Sequence, residues 1–433
     1  MFKTLVNAFK VKDLRKKILI TLGLLILYRV GCALVCPGFN LKDAMAGSSE
    51  GTTFFSLMNM LSGDALSNGA ILALGVSPYI TASIVIQLLT VAVPSLQNLS
   101  RQGEDGRRKI SFYTRIAALV LALAQSIGIV ISYKSYIDTN YLNLPVWLIA
   151  TGIVVILTAG AMFTVWLGER ITQLGVANGM SMLIFVGIIS SAGSGIAAAI
   201  KQITLSNLQG LWSIIIYLVA LVLVFGFIVF MDCSERRVPV KYAKQIKGRK
   251  MYGGQDTFIP IKLNASGVMP IIFATSLLTL PQLVMSIFWP NSNAYYWYQN
   301  YMGTNSWVYI VLLALLIFAF AFFYAQISFD TDEISRRMQQ QGGFIPGIRP
   351  GKTTSDYLRK ISRRITLFSA FFLAVIALIP SLVFKAVPND IIITSLVSAF
   401  STTGLMIMVS VALEFDKSLN AQMLMRNYKG FLD

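Results

Sequence analysis

Apolar residues run along this chain in blocks of about twenty, the length that roughly 20 helical residues need to cross a hydrocarbon core. Ten such blocks fall near 18–36, 70–93, 112–133, 146–168, 179–200, 211–231, 266–288, 307–328, 365–384 and 391–413, and each predicts a transmembrane helix. One further segment, 52–68, reads T-T-F-F-S-L-M-N-M-L-S-G-D-A-L-S-N, apolar but broken by small and polar residues. Twelve helical residues reach only about 18 Å, too short to cross. Two readings follow. A re-entrant half-helix would need protein or a water-filled cavity around its backbone at membrane depth; an amphipathic helix lying on the outer surface would not.

Inside the blocks, helical spacing picks out three stripes. Val76, Ile80, Ser83 and Gln87 form one; Ile272, Ser276 and Thr279 a second; Thr403, Ile407, Ser410 and Glu414 a third. Each pairs an aliphatic residue with polar neighbours above or below it. Such stripes would line an hourglass whose apolar waist excludes water and ions by dewetting. Ser and Thr also hydrogen-bond between packed membrane helices, so the same pattern suits plain packing.

Composition agrees with a polytopic membrane protein: 55% of the 433 residues are hydrophobic, 13% are charged, and the mean hydropathy is +0.68. Lys and Arg are retained on the cytoplasmic side of a membrane, which makes their placement a test of topology. Assigned to alternate loops, 31 of the 36 lie on one side and only Lys42, Lys134, Lys201 and Lys385 on the other, with Arg29 inside the first block. Both termini are therefore expected to be cytoplasmic. The basic stretch ahead of the first block resembles a secretory leader, but the run is too long and Arg29 interrupts it, so a retained helix is expected.

Two cytoplasmic loops are long and basic. Residues 232–265 contain β-prone patches and glycine turns that suit a hairpin. Residues 329–364 contain G-F-I-P-G-I-R-P-G, whose prolines and glycines fix a stiff turn with Arg349 at its tip. Positive-inside topology explains the sign of this charge but not the length of the loops; docking to an acidic protein surface or to RNA phosphate would explain both.

The absence of histidine and the presence of only three cysteines leave imidazole metal sites, Ser/His or Cys/His nucleophile pairs and a disulfide framework without support. An intramembrane hydrolase would also lack a lysine base inside a span. Ionisable residues at membrane depth reduce to Arg29, with Asp64 in the short segment and Glu169 at the end of the fourth block. An ion-coupled secondary transporter of a small solute, expected to keep carboxylates near the midplane, is the main alternative to a passive conduit. No catalytic residue, cofactor or metal is expected.

Several stretches carry a family resemblance: G-V-S-P-Y-I-T-A-S-I-V-I-Q-L-L from Gly75, G-E-D-G-R-R-K-I-S from Gly103, W-L-G-E-R-I-T from Trp166, A-N-G-M-S from Ala177, P-I-K-L-N-A-S-G-V-M-P from Pro260, G-F-I-P-G-I-R-P-G from Gly343 and the terminal Y-K-G-F. In this order they resemble the SecY family, the central subunits of bacterial protein-conducting channels, across essentially the whole chain. The resemblance implies an all-α membrane protein of ten transmembrane helices in two inverted five-helix halves, 1–205 and 206–433, around a central pore. It places a pore ring on Val76, Ile80, Met180, Ile184, Ile272 and Ile407. A plug falls on 52–68, with Phe54, Phe55, Leu57, Met58, Leu61 and Asp64, and a lateral gate between the second and seventh spans on Thr81, Ile84 and Leu280. Motor or ribosome docking falls on Arg349, Arg249 and Lys250. The implied partners are SecE-like and SecG-like membrane subunits, a SecA-type ATPase, the ribosome, signal peptides with their preproteins, and membrane lipid, but no specific DNA. The implied location is the bacterial cytoplasmic membrane. Asp64 stands where the family's plug usually has glycine, and Val76 and Met180 where isoleucine is commoner.

Overall fold

A computed structural model describes residues 2–39, 41, 53–100, 102–137, 145–203, 209–242, 245–247, 250–252, 257–264, 266–289, 292–303, 306–386 and 402–429. In chain order its helices are α1 (Phe2–Lys10), α2 (Lys12–Ala33), α3 (Thr53–Ser62), α4 (Ser77–Ala92), α5 (Pro94–Ser100), α6 (Glu104–Ser132), α7 (Val146–Leu174), α8 (Gly179–Ile203) and α9 (Gln209–Cys233). After a β region come α10 (Met269–Phe288), α11 (Asn293–Met302), α12 (Trp307–Ser328), α13 (Thr331–Gln340), α14 (Lys352–Ala386) and α15 (Thr402–Lys429). Every one of the ten predicted blocks holds a helix, although 391–401 of the last block lies outside the described residues.

By length and composition alone, five helical stretches among the described residues could cross a membrane: Glu104–Ser132, Val146–Leu174, Gly179–Ala197, Trp307–Gln340 and Lys352–Ile379. A sixth is α4 with α5, bent by 104° at Pro94. Lys16, Lys17 and Arg29 interrupt the apolar run of α2. In α9 and α10 the apolar helix counted among the described residues covers Leu221–Cys233 and Met269–Gln282.

The second block, expected from residue 70, turns helical only at Ser77. A helix needs an entry point, and here a left-handed glycine followed by proline in the first turn supplies it. α10 opens in the same way. Gly75-Val76-Ser77-Pro78 and Gly267-Val268-Met269-Pro270 share positive φ at glycine (52° and 60°) and nearly identical angles at valine, φ −90°, ψ −6° and φ −89°, ψ −7°.

The hairpin expected in 232–265 forms: β1 (Glu235–Tyr242) pairs antiparallel with β4 (Thr257–Lys262), and β2 (Gln245–Lys247) pairs with β3 (Lys250–Tyr252) between them. A two-residue strand from the other long loop, β5 (Gly343–Phe344), adds to the free edge of β1. Alternation along β1 turns Val238 and Val240 inward, onto Ile261, Met338, Ile345 and Leu358. The two basic loops thus share one small core.

Candidate functional site

Three larger cores occupy the helical body. One gathers residues between Cys36 and Ala161, a second gathers residues between Ile228 and Val409, and a third joins residues from both stretches. That third core holds all six residues of the expected ring. Val76 at the entry of α4, Ile184 on α8 and Ile407 on α15 are buried in it, and Ile80, Met180 and Ile272 pack against it half-buried. Four helices therefore converge on a single aliphatic contact, and three polar side chains of the stripes bond to protein, while Glu414 is exposed. The Gln87 Oε1 accepts from the Tyr324 hydroxyl at 2.5 Å, Thr279 donates to the Ser276 carbonyl at 3.0 Å, and Ser410 donates to Asp232 at 2.6 Å. For these groups the packing reading holds; the side chain of Thr403 lies outside the described residues.

The short segment folds as a half-helix against this core. α3 is ten residues long, less than the 52–68 expected. Met58 is buried in the first core and Leu61 in the third; the side chains of Phe54, Phe55 and Leu57 lie outside the described residues. The helix stops at two successive left-handed residues, Gly63 (φ 67°) and Asp64 (φ 65°). Aspartate is among the few residues that visit this region with modest strain, because its short polar side chain bonds locally. It does so here. Asn59 donates to Asp64 Oδ1 at 3.1 Å, and the Asn59 side-chain oxygen accepts from the Ser67 amide at 2.9 Å.

α8 and α2 hold the turn from outside. Ser194 donates to Asp64 Oδ2, and Ser191 reaches the Met60 carbonyl at 3.4 Å. The Arg29 guanidinium donates to the Gly63 carbonyl at 2.9 Å and also to Ser190 Oγ. Below these bonds the backbone of α8 touches the half-helix directly: a Cβ at Gly187 would sit 2.3 Å from the Leu61 carbonyl oxygen. Sequence reading flagged Arg29 only as an unusual charge. On α8 its partner is Ser190, while Ser191 and Ser194, three residues apart on the same helix, hold the Met60 carbonyl and Asp64.

At the expected gate, Thr81 is buried and bonds to the Ser77 carbonyl at 3.1 Å. Ile84 lies in a small cluster with Phe273 of α10 and Tyr324 of α12, so α4 meets α10 through aliphatic and aromatic contact. Leu280, half-buried on α10 beside the internal Pro281, lies outside that cluster.

On the basic side, Arg349 is exposed, and its carbonyl accepts from Thr354 Oγ1 at 2.8 Å. Ile345 and Ile348 pin the flanking turn into the core beneath the β-sheet. Arg249 lies outside the described residues, and Lys250 opens β3 with its side chain outside them. Among the described residues no group of three His, Cys, Asp or Glu could hold a metal ion.

A helical membrane protein with an aliphatic junction capped by a tethered half-helix has the architecture of protein-conducting channels. The chain matches "The structure of a protein conducting channel" with a TM-score of 0.67 and 17% identity, over 94% of this chain and 92% of that one. It matches "Sec61 in the Canine ribosome-channel complex from the endoplasmic reticulum" with a TM-score of 0.64 and 16% identity, again over 94% and 92%. The SecY family model matches residues 70–415. "Protein translocase subunit SecY" of Mycobacterium bovis and that of Streptomyces galbus are each 40% identical to it, over 100% of both chains. The chain belongs to the SecY family.

Proposed function

We propose that this protein is the channel subunit of a protein translocase, a passive gated conduit for unfolded chains across the bacterial cytoplasmic membrane. The observation that carries the reading is the convergence of Val76, Ile80, Met180, Ile184, Ile272 and Ile407 in one core directly against Leu61 of the half-helix. An apolar constriction closes to ions while a flexible chain can part it. The name shared by the full-length relatives, protein translocase subunit, supports this reading and gives none to the small-solute transporter.

In this reading the two halves, 1–205 and 206–433, form a clamp braced by SecE-like and SecG-like subunits. A signal peptide parts α4 from α10 at Thr81, Ile84 and Leu280. Apolar segments of the preprotein then leave sideways into lipid, where a central Lys or Asp costs about 2.5–3.5 kcal/mol on the insertion scale. Energy comes from a SecA-type ATPase or the ribosome, docked on Arg349 and on the neighbouring loop with Arg249 and Lys250. The shared core of the two basic loops favours this, since it presents them as one body.

The test is reconstitution in liposomes with SecE-like and SecA-like partners, scoring ATP-dependent protection of a preprotein from added protease. Wild-type protein should protect and Arg349→Glu should not; equal protection by both would remove the docking role. Protection by neither, from correctly folded protein, would count against the conduit itself.

A further inference from the structure

At the end of α9 that leads into the β region, one carboxylate gathers hydrogen bonds from elements far apart in sequence. An Asp232 oxygen accepts from Asn264 Nδ2 at 2.7 Å, and the other accepts from Ser410 Oγ of α15 at 2.6 Å. Ser369 of α14 donates to the Asn264 side-chain oxygen at 3.4 Å, and the Leu263 amide donates to the Ser234 carbonyl at 2.9 Å. Asn264 and Ser369 are buried, and Asp232 and Ser410 half-buried.

Nothing local calls for a carboxylate here. The last turn of a helix presents the negative end of its dipole, which disfavours an acidic side chain, and Asp232 is the last residue but one of α9. No ion pair joins it to a lysine or arginine among the described residues. Its partners are two neutral donors, and both bonds are shorter than the Ser369 bond of the same network, as hydrogen bonds to a carboxylate are. The charge therefore serves those two bonds, and what they hold together decides its role. Asn264 stands in the turn before α10, whose first turn carries Ile272. Val268, between them, packs against two of the helical cores. Ser410 lies three residues beyond Ile407 on α15, on a neighbouring part of the same helix face. Asp232 thus links the entry of the helix that carries Ile272 to the helix that carries Ile407.

We propose that Asp232 is a positioning residue that makes α10 and α15 move as one body, so that parting α10 from α4 withdraws Ile272 and Ile407 from the ring together; this rests on the channel reading. The carboxylate is the joint between gate and ring. Without it, α10 and Ile407 move independently, and a closed gate no longer ensures a closed ring.

The test is ion conductance of the full chain in planar bilayers, with α4 and α10 locked by crosslinking cysteines introduced at Thr81 and Leu280, alongside preprotein protection by the unlocked chain. With the joint intact, the locked gate holds the ring shut and conductance stays at baseline. Asn264→Asp sets two carboxylates face to face, and Ser410→Ala removes only the bond to α15. Each should raise conductance of the locked channel about tenfold, as expected for a lost hydrogen bond to a charged group. Adding Asp232→Asn to Asn264→Asp should return it to baseline, because the exchanged pair keeps every bond: the new amide donates to the new carboxylate, and its oxygen accepts from Ser410. Unchanged conductance in Ser410→Ala, or an exchanged pair as leaky as Asn264→Asp alone, would overturn the role of Asp232. Either result beside normal preprotein protection by wild-type protein leaves the conduit standing; a wild type that protects no preprotein removes conduit and joint together.

Discussion

The Ser194 hydroxyl on α8 donates to the Asp64 carboxylate at the turn that ends the half-helix, across 130 residues of sequence. Together with Arg29 on the Gly63 carbonyl it fastens the half-helix to two neighbouring helices. A net hydrogen bond contributes about 1 kcal/mol, so its loss should raise the population of displaced plug about fivefold. Ser194→Ala should increase ion conductance of the idle channel in planar bilayers by about that factor, and Asp64→Ala, which also loses the Asn59 bond and places alanine at positive φ, by more. The double variant should add little to Asp64→Ala alone, because the Ser194 bond is already gone there. Additive effects would mean that the two residues act separately.

Gly187 offers a steric counterpart. Alanine there would press a Cβ to 2.3 Å from the Leu61 carbonyl oxygen, and overpacking of this kind costs about 1–3 kcal/mol. Gly187 lies inside the 25-residue α8, so the ten-residue half-helix that carries the Leu61 carbonyl is the part that yields. Gly187→Ala should leak ions more than Ser194→Ala while leaving the cytoplasmic loops protease-resistant. Unchanged conductance with intact folding would show that the half-helix tolerates the shift without unsealing.

The bilayer made most of the fold legible in the sequence, because crossing it imposes apolar runs of about 20 residues, and all ten runs hold helices. The six ring residues could be carried over from motif resemblance, and the structure brings them into one core. Contacts set by tertiary packing left no local trace. The two residues of β5 are too few to show alternation, and nothing near Arg29 in sequence points to the Gly63 carbonyl. The start of α4 is a different case: Gly75-Val76-Ser77-Pro78 and its echo at Gly267-Val268-Met269-Pro270 stand in plain letters. Hydrophobic periodicity is blind to them because they lie inside the runs 70–93 and 266–288, whose small and apolar letters it reads as continuous helix.

Tyr324 and Gln87 join α12 to α4 at 2.5 Å, next to the Ile84 and Phe273 contact. Tyr324→Phe keeps the ring in its cluster and removes only the hydroxyl. The Gln87 oxygen is then left without its donor, a loss of about 1 kcal/mol. A gate held partly by this bond should be closed less often. Cysteines introduced at Thr81 and Leu280 should accordingly crosslink more slowly in the Tyr324→Phe background than with Tyr324 present. An unchanged crosslinking rate would make the hydroxyl irrelevant to the gate.

Asp332 gives the basic loops a pH dependence whose sign can be worked out. The Ser355 hydroxyl donates to one carboxylate oxygen at 2.5 Å and Arg359 lies 3.0 Å from the other. The Ser355 bond is the largest effect on this carboxyl; burial opposes it, and the charges of Arg359 and Arg336 with the Arg359 hydrogen bond add to the lowering, so the carboxyl stays below its ordinary value. A carboxyl depressed in the folded state contributes stability that is fully present above its unfolded value, about 3.9, and is lost as pH falls through the lower folded value. Hydrogen exchange of the α13 amides should therefore accelerate, relative to α12 in the same molecule, as pH drops below about 4. In Asp332→Asn the joint should already be looser at neutral pH and the acid-dependent loosening should disappear. The same acid-dependent loosening in Asp332→Asn would assign the pH dependence to another carboxylate, and Asp330, which caps α13, is the next to replace.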